Sequence, residues 1–150
     1  MAATEAQPLI LPADGSDPRR PGAGEALAGS AKWLDVIGLQ STGLLSGLLG
    51  VDTVVSGSDF VWDTAYLPAG RSLYLEIYGS GSALSTQMTA GIYTAAGVAV
   101  PGASATITGA AGALVRGNAF TLTSGITYQL HFKTAVLGTG TLKLARIIIL

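Results

Sequence analysis

The side chains able to do chemistry are few, and their spacing limits what they can do together. His131 is the sole histidine and cysteine is absent, which excludes multi-histidine and thiolate metal sites, cysteine nucleophiles and disulfide scaffolds. Hydrolysis by two carboxylates needs a pair held a fixed distance apart in a cleft. Asp59, Asp63 and Glu76 are the local candidates, with His131 as the one available imidazole base. Asp59 follows Ser56-Gly57-Ser58 and reads as a turn-capping side chain, while Asp63 falls on the polar parity of an expected strand. His131 alternates with Gln129 and Lys133 and is expected on an exposed outer face. Asp52, Asp59 and Asp63 lack the spacing of a calcium loop, and no Gly-x-Ser-x-Gly elbow presents a serine. Gly79-Ser80-Gly81-Ser82 follows an expected strand as a phosphate loop does. Residues 84–94 carry no helical apolar stripe behind it, so the expectation there is a hairpin loop. The chain is therefore expected to be no enzyme, with no catalytic residue, metal ligand or cofactor.

Aromatic side chains offer binding instead. Tyr74 and Tyr78 flank Glu76 on one parity, and with Trp62 they form a candidate platform for stacking sugar rings. The other use of aromatics on antiparallel strands is packing across neighbours or filling a core.

Strands must position these residues. Beyond residue 31 the apolar pattern is mostly of period two, with glycine-rich breaks every 8 to 14 residues or so, which predicts an all-β sandwich or barrel. In residues 71–78, Leu73, Leu75 and Ile77 oppose Ser72, Tyr74, Glu76 and Tyr78. In residues 125–133, Ile126, Tyr128, Leu130 and Phe132 oppose Thr127, Gln129, His131 and Lys133. Further strands are expected at 31–37, 60–66, 84–94, 103–108, 113–123 and 141–150, making about eight. Leu44-Leu45 and Leu48-Leu49, spaced by four within residues 42–50, predict a helical turn packed on the sheet. Connections this short favour antiparallel pairing and a two-sheet jelly roll or related sandwich. The last strand is apolar on both parities, so it is either central or covered by another subunit, which makes Ile147 and Ile149 candidate subunit-interface residues.

Residues 1–30 are built differently and read as an extended arm ahead of a β-sandwich domain at 31–150. Four of the six prolines lie there (Pro8, Pro12, Pro18 and Pro21), with no periodic apolar pattern. Proline fixes φ and extends its predecessor, so Pro8, Leu9, Ile10, Leu11 and Pro12 form an extended strip carrying three large apolar side chains. Either this strip, with Arg19 and Arg20 behind it, binds a partner surface, or it is a disordered tail.

Composition narrows the partners. The 150 residues are 49 % apolar and only 11 % charged, against about 25 % charged in typical soluble domains. Covering such a body with copies of itself lowers its free energy by roughly 25 cal/mol per Å² of apolar area, before association costs. A net charge of −1 argues against gripping nucleic acid by phosphate neutralisation. No apolar run approaches the roughly 18 to 20 residues of a spanning helix, so no membrane partner is expected. The first five residues lack the basic and apolar regions of a secretory signal, which predicts synthesis and action from the cytoplasm. All nine acids lie in the first 76 residues, whereas the rest hold only Arg116, Lys133, Lys143 and Arg146. This asymmetry suits head-to-tail contact between subunits, or it is scattered when sheets mix the two halves.

Residues 121–130 read Thr-Leu-Thr-Ser-Gly-Ile-Thr-Tyr-Gln-Leu and residues 142–150 read Leu-Lys-Leu-Ala-Arg-Ile-Ile-Ile-Leu. With the proline-rich arm and the cysteine-free Ala/Gly/Ser/Thr-rich body, the chain over residues 60–150 resembles small bacteriophage virion proteins of jelly-roll type. These are capsid decoration (cement) proteins and the β-domains of head and tail fibres. The resemblance implies an assembly role in the virion, a homotrimer, the major capsid protein or other virion proteins as partners, and no catalytic residue to carry over. The alternative is a carbohydrate-binding domain of a phage tail or fibre protein recognising a host surface.

Overall fold

The alternation of branched apolar with polar residues is what makes these strands. Leu73, Leu75 and Ile77 are fully buried while Tyr74 and Tyr78 stay half-exposed on the other face. The computed structural model describes residues 33–37, 44–46, 52–67, 69–81, 87–134 and 140–150. Among the described residues ten strands follow in chain order: β1 (Trp33–Ile37), β2 (Leu44–Ser46), β3 (Thr53–Val54), β4 (Phe60–Val61) and β5 (Leu73–Ser80). Then come β6 (Gln87–Thr94), β7 (Ala99–Thr108), β8 (Ala113–Phe120), β9 (Thr127–Thr134) and β10 (Gly140–Ile149). The first sheet runs β1-β10-β5-β8, with β2 also on β10; the second runs β3-β9-β6-β7, with β4 also on β9. Every pairing is antiparallel. Because β1 and β2 follow one another along β10, and β3 and β4 along β9, the ten pieces fill eight strand positions.

The sheets bury their inner faces against each other. Leu73, Leu75, Ile77 and Ile147 of the first meet Met88, Ile92, Ile107 and Leu130 of the second in one core. Each such side chain contributes about 1.5–3 kcal/mol on burial. Trp62 and Phe60 plug this core beside β9. Along the β7 and β8 edges the sandwich is closed by backbone approach. Any side chain at Gly117 would collide with the carbonyl oxygen of Ser104, and one at Gly102 would come within 2.8 Å of the carbonyl of Ala119.

Several expectations need correction. Of residues 42–50, where a helical turn is expected, 44–46 are described, and they form a strand paired with Gly140 to Leu142, because β10 offers an open ladder there. The expected strand 60–66 stops after Val61. The Asp63 carboxylate accepts a hydrogen bond from Ala65 N at 2.9 Å and starts a 3-10 turn, Thr64–Tyr66. The strand expected at 103–108 begins earlier, at Ala99, and runs through Pro101 and Gly102 as a bulge on an edge strand. Ile147 and Ile149 are 0 % and 7 % exposed within the single chain, since β10 lies between β1 and β5. Their side chains are covered within the single chain. The arm, with Pro8, Leu9, Ile10, Leu11, Pro12, Arg19 and Arg20, lies outside the described residues. Among the described residues no helix is long and apolar enough to cross a membrane.

Candidate functional site

A bulge opens a cleft on the outer face of the second sheet. Gly91 pairs with Ser104 and Tyr93 with Ala99, so Ile92 alone stands opposite residues 100–103. Pro101 donates no ladder hydrogen bond and Gly102 takes φ +79°, which lets this stretch of β7 swing away as a wall. Gly91 forms the floor: a Cβ there would sit 3.3 Å from the Tyr93 ring and 3.4 Å from the Ala103 carbonyl oxygen. The resulting cleft holds about 350 Å³.

The walls carry a linked set of polar groups. The Tyr93 ring stacks on His131 at 4.0 Å between centroids and 7° between planes. The Tyr93 hydroxyl donates to Asp52 Oδ2 at 3.3 Å, and Lys133 Nζ lies 3.8 Å from Asp52 Oδ1. Burial raises the Tyr93 pKa above its ordinary value, and the Asp52 charge and hydrogen bond add to it. Thr89 hydrogen-bonds Thr106 at 2.8 Å between hydroxyl oxygens, and with Ser104 it completes the rim. Gln129 Nε2 donates to His131 Nε2 at 2.9 Å, which makes that nitrogen the acceptor and leaves the proton on Nδ1. Nδ1 is buried without a hydrogen-bond partner among the described residues. His131 was expected to be exposed; it is 8 % exposed because Tyr93 covers it, and this burial lowers its pKa against the pull of Asp52.

The outer face of the first sheet has a different character. Registered pairs align Asp35, Arg146, Glu76 and Arg116 across four adjacent strands, alternating in sign. Arg146 Nε and Nη2 donate to Glu76 Oε1 at 2.8 and 2.5 Å, and Arg116 Nη2 reaches Oε2 at 3.4 Å. Glu76 is 5 % exposed beneath these arginines, and Arg116 also lies 6.0 Å from the Tyr74 ring centroid. Burial raises the Asp35 pKa, and the Arg146 charge partly reverses it. Apolar rows flank the ionic one: Leu144, Tyr78 and Leu114 on one side, Ile148, Tyr74 and Ala119 on the other.

The structure thus keeps Tyr74 and Tyr78 outward, as the parity predicted, but separates them from Trp62. Trp62 is 1 % exposed and fills the core, so it offers no platform to a sugar. Asp63 caps a turn, and Glu76 and His131 lie on the outer faces of different sheets, so the three form no cleft together. Asp52, just before β3, Tyr93 of β6 and Lys133 of β9 lie far apart in the sequence, so no local spacing marks them as a group. The one local signal was Pro101-Gly102 beside an alternating stretch. Comparison of the chain with family models, with curated proteins and with solved structures gives no match.

Proposed function

We propose that this chain is a non-enzymatic virion structural protein of jelly-roll type, decorating or cementing a bacteriophage capsid as a homo-oligomer. Its N-terminal arm contacts neighbouring subunits. The observation that carries the reading is the order of strand pairs. A jelly roll behaves as one long antiparallel ribbon wound on itself, so strands pair from the two chain ends inward. Here β1 pairs with β10, β3 and β4 with β9, β5 with β8, and β6 with β7. Viral capsid domains are built on this architecture, and the resemblance of residues 60–150 to phage virion proteins selects that use among the several the fold serves.

The surface we assign to self-association is the outer face of the first sheet, in place of Ile147 and Ile149. Leu114 is 56 % exposed there beside Tyr78, and aromatics and arginines are the residues enriched at interfaces. The occupant is a second copy of the chain. The ionic row has two acids and two arginines, so this face carries no net charge to repel the surface of a neighbouring copy. A trimer is the order that the resemblance implies. The test is binding of the full chain to purified particles stripped of it, followed by quantitative mass spectrometry. Saturable binding in fixed ratio to the major capsid protein, lost when residues 2–22 are removed, is the expected result. A chain absent from particles, or bound equally well without the arm, overturns the proposal.

A further inference from the structure

The geometry points to the cleft beside Tyr93 as a binding site for one neutral pyranose ring, held by Asp52 and Lys133 and packed against the Tyr93 ring. This inference does not depend on the assembly reading, because it uses the opposite face of the sandwich. Its volume of about 350 Å³ lies at the low end of the roughly 300–1,000 Å³ of small-molecule pockets, which suits one ring and not an extended chain.

Charge decides the class of ligand. An anion would meet the Asp52 carboxylate and a cation the Lys133 ammonium, so a ligand of either sign faces repulsion from one wall. A purely apolar ligand would strip water from both charges and from the hydroxyls of Thr89 and Ser104 without replacing their hydrogen bonds. Adjacent hydroxyls of a sugar satisfy the pair together, one donating to Asp52 and its neighbour accepting from Lys133. Both side chains are partly exposed and weakly paired at 3.8 Å, so exchanging each other for ligand oxygens costs little. Tyr93 supplies the apolar surface that the C–H face of a pyranose needs. Its ring is fixed in advance by His131 stacked on it and by Asp52 at its hydroxyl. Gly91, having no side chain, leaves room for the Tyr93 ring beside it: a Cβ there would press on the ring at 3.3 Å.

The test is saturation-transfer NMR and calorimetry on the full chain. The probes are the methyl pyranosides of glucose, galactose, mannose and N-acetylglucosamine, with sorbitol as an acyclic control. At least one pyranoside should bind saturably and sorbitol should not. Asp52→Ala, at an exposed position, should keep the wild-type melting curve and weaken binding about tenfold or more. Tyr74→Ala, on the other sheet, should bind as the wild type does. The inference is overturned if no pyranoside binds, if Asp52→Ala binds equally well, or if Tyr74→Ala is the variant that loses binding.

Discussion

Glu76 and His131 are both polar groups on outer sheet faces that the fold nevertheless buries. Glu76 is covered by the arginines that neutralise it, so removing its charge strands them. Arg146 and Arg116 keep part of their surface in water and can rehydrate, which lowers the cost from the about 3–5 kcal/mol of a fully buried pair. Glu76→Gln should cost about 2 kcal/mol in urea unfolding at neutral pH, and Arg116→Met less than about 1. His131 is instead held neutral. Its folded pKa lies below the ordinary 6.5, so the unfolded chain takes up the proton first as pH falls. The stability present above pH 6.5 is therefore lost as pH drops toward the folded value. Asp35, raised from 3.8, works in the opposite sense at more acid pH, so the variant isolates the effect. Urea midpoints should fall below pH 6.5 in the wild type and stay flatter in His131→Gln.

Elements carry the next level of constraint, above all where β7 and β8 close the sandwich. Gly117 has no room for a side chain against the Ser104 carbonyl, a backbone atom that cannot rotate away. Gly117→Ala should lower stability by about 3 kcal/mol or more in thermal unfolding. Gly97 sits at φ +83° in open space, so Gly97→Ala meets only backbone strain of about 1–2 kcal/mol. The same level explains what the sequence made legible. β5 and β9 could be read directly, because each has one face in the core and one outside, which imposes a clean period of two. β3 and β4 have two residues each, too few to show any period, and Pro101-Gly102 hid the first four of the ten residues of β7 behind turn chemistry. The cleft was illegible for a related reason. Its floor, walls and charges meet through register across β9, β6 and β7, and no local spacing encodes register.

At the scale of the described molecule, nested pairing sets charges that lie far apart in the chain beside one another. Pairing from the ends inward sets acid-bearing β1 and β5 beside basic β10 and β8, which turns an acidic half and a basic half into one alternating row. Asp35 and Glu76 are thus matched by Arg146 and Arg116 within the subunit, and these four charges demand no neighbour. The closing isoleucines likewise find cover inside the chain, and the surface proposed for self-association is the striped outer face around Leu114, Tyr78 and Tyr74. Sedimentation equilibrium of the full chain across a wide concentration range tests this claim most directly. A single species at a whole multiple of 15.1 kDa, reduced to 15.1 kDa by Leu114→Lys, is the predicted result. A wild-type chain that sediments at 15.1 kDa at every concentration would contradict it.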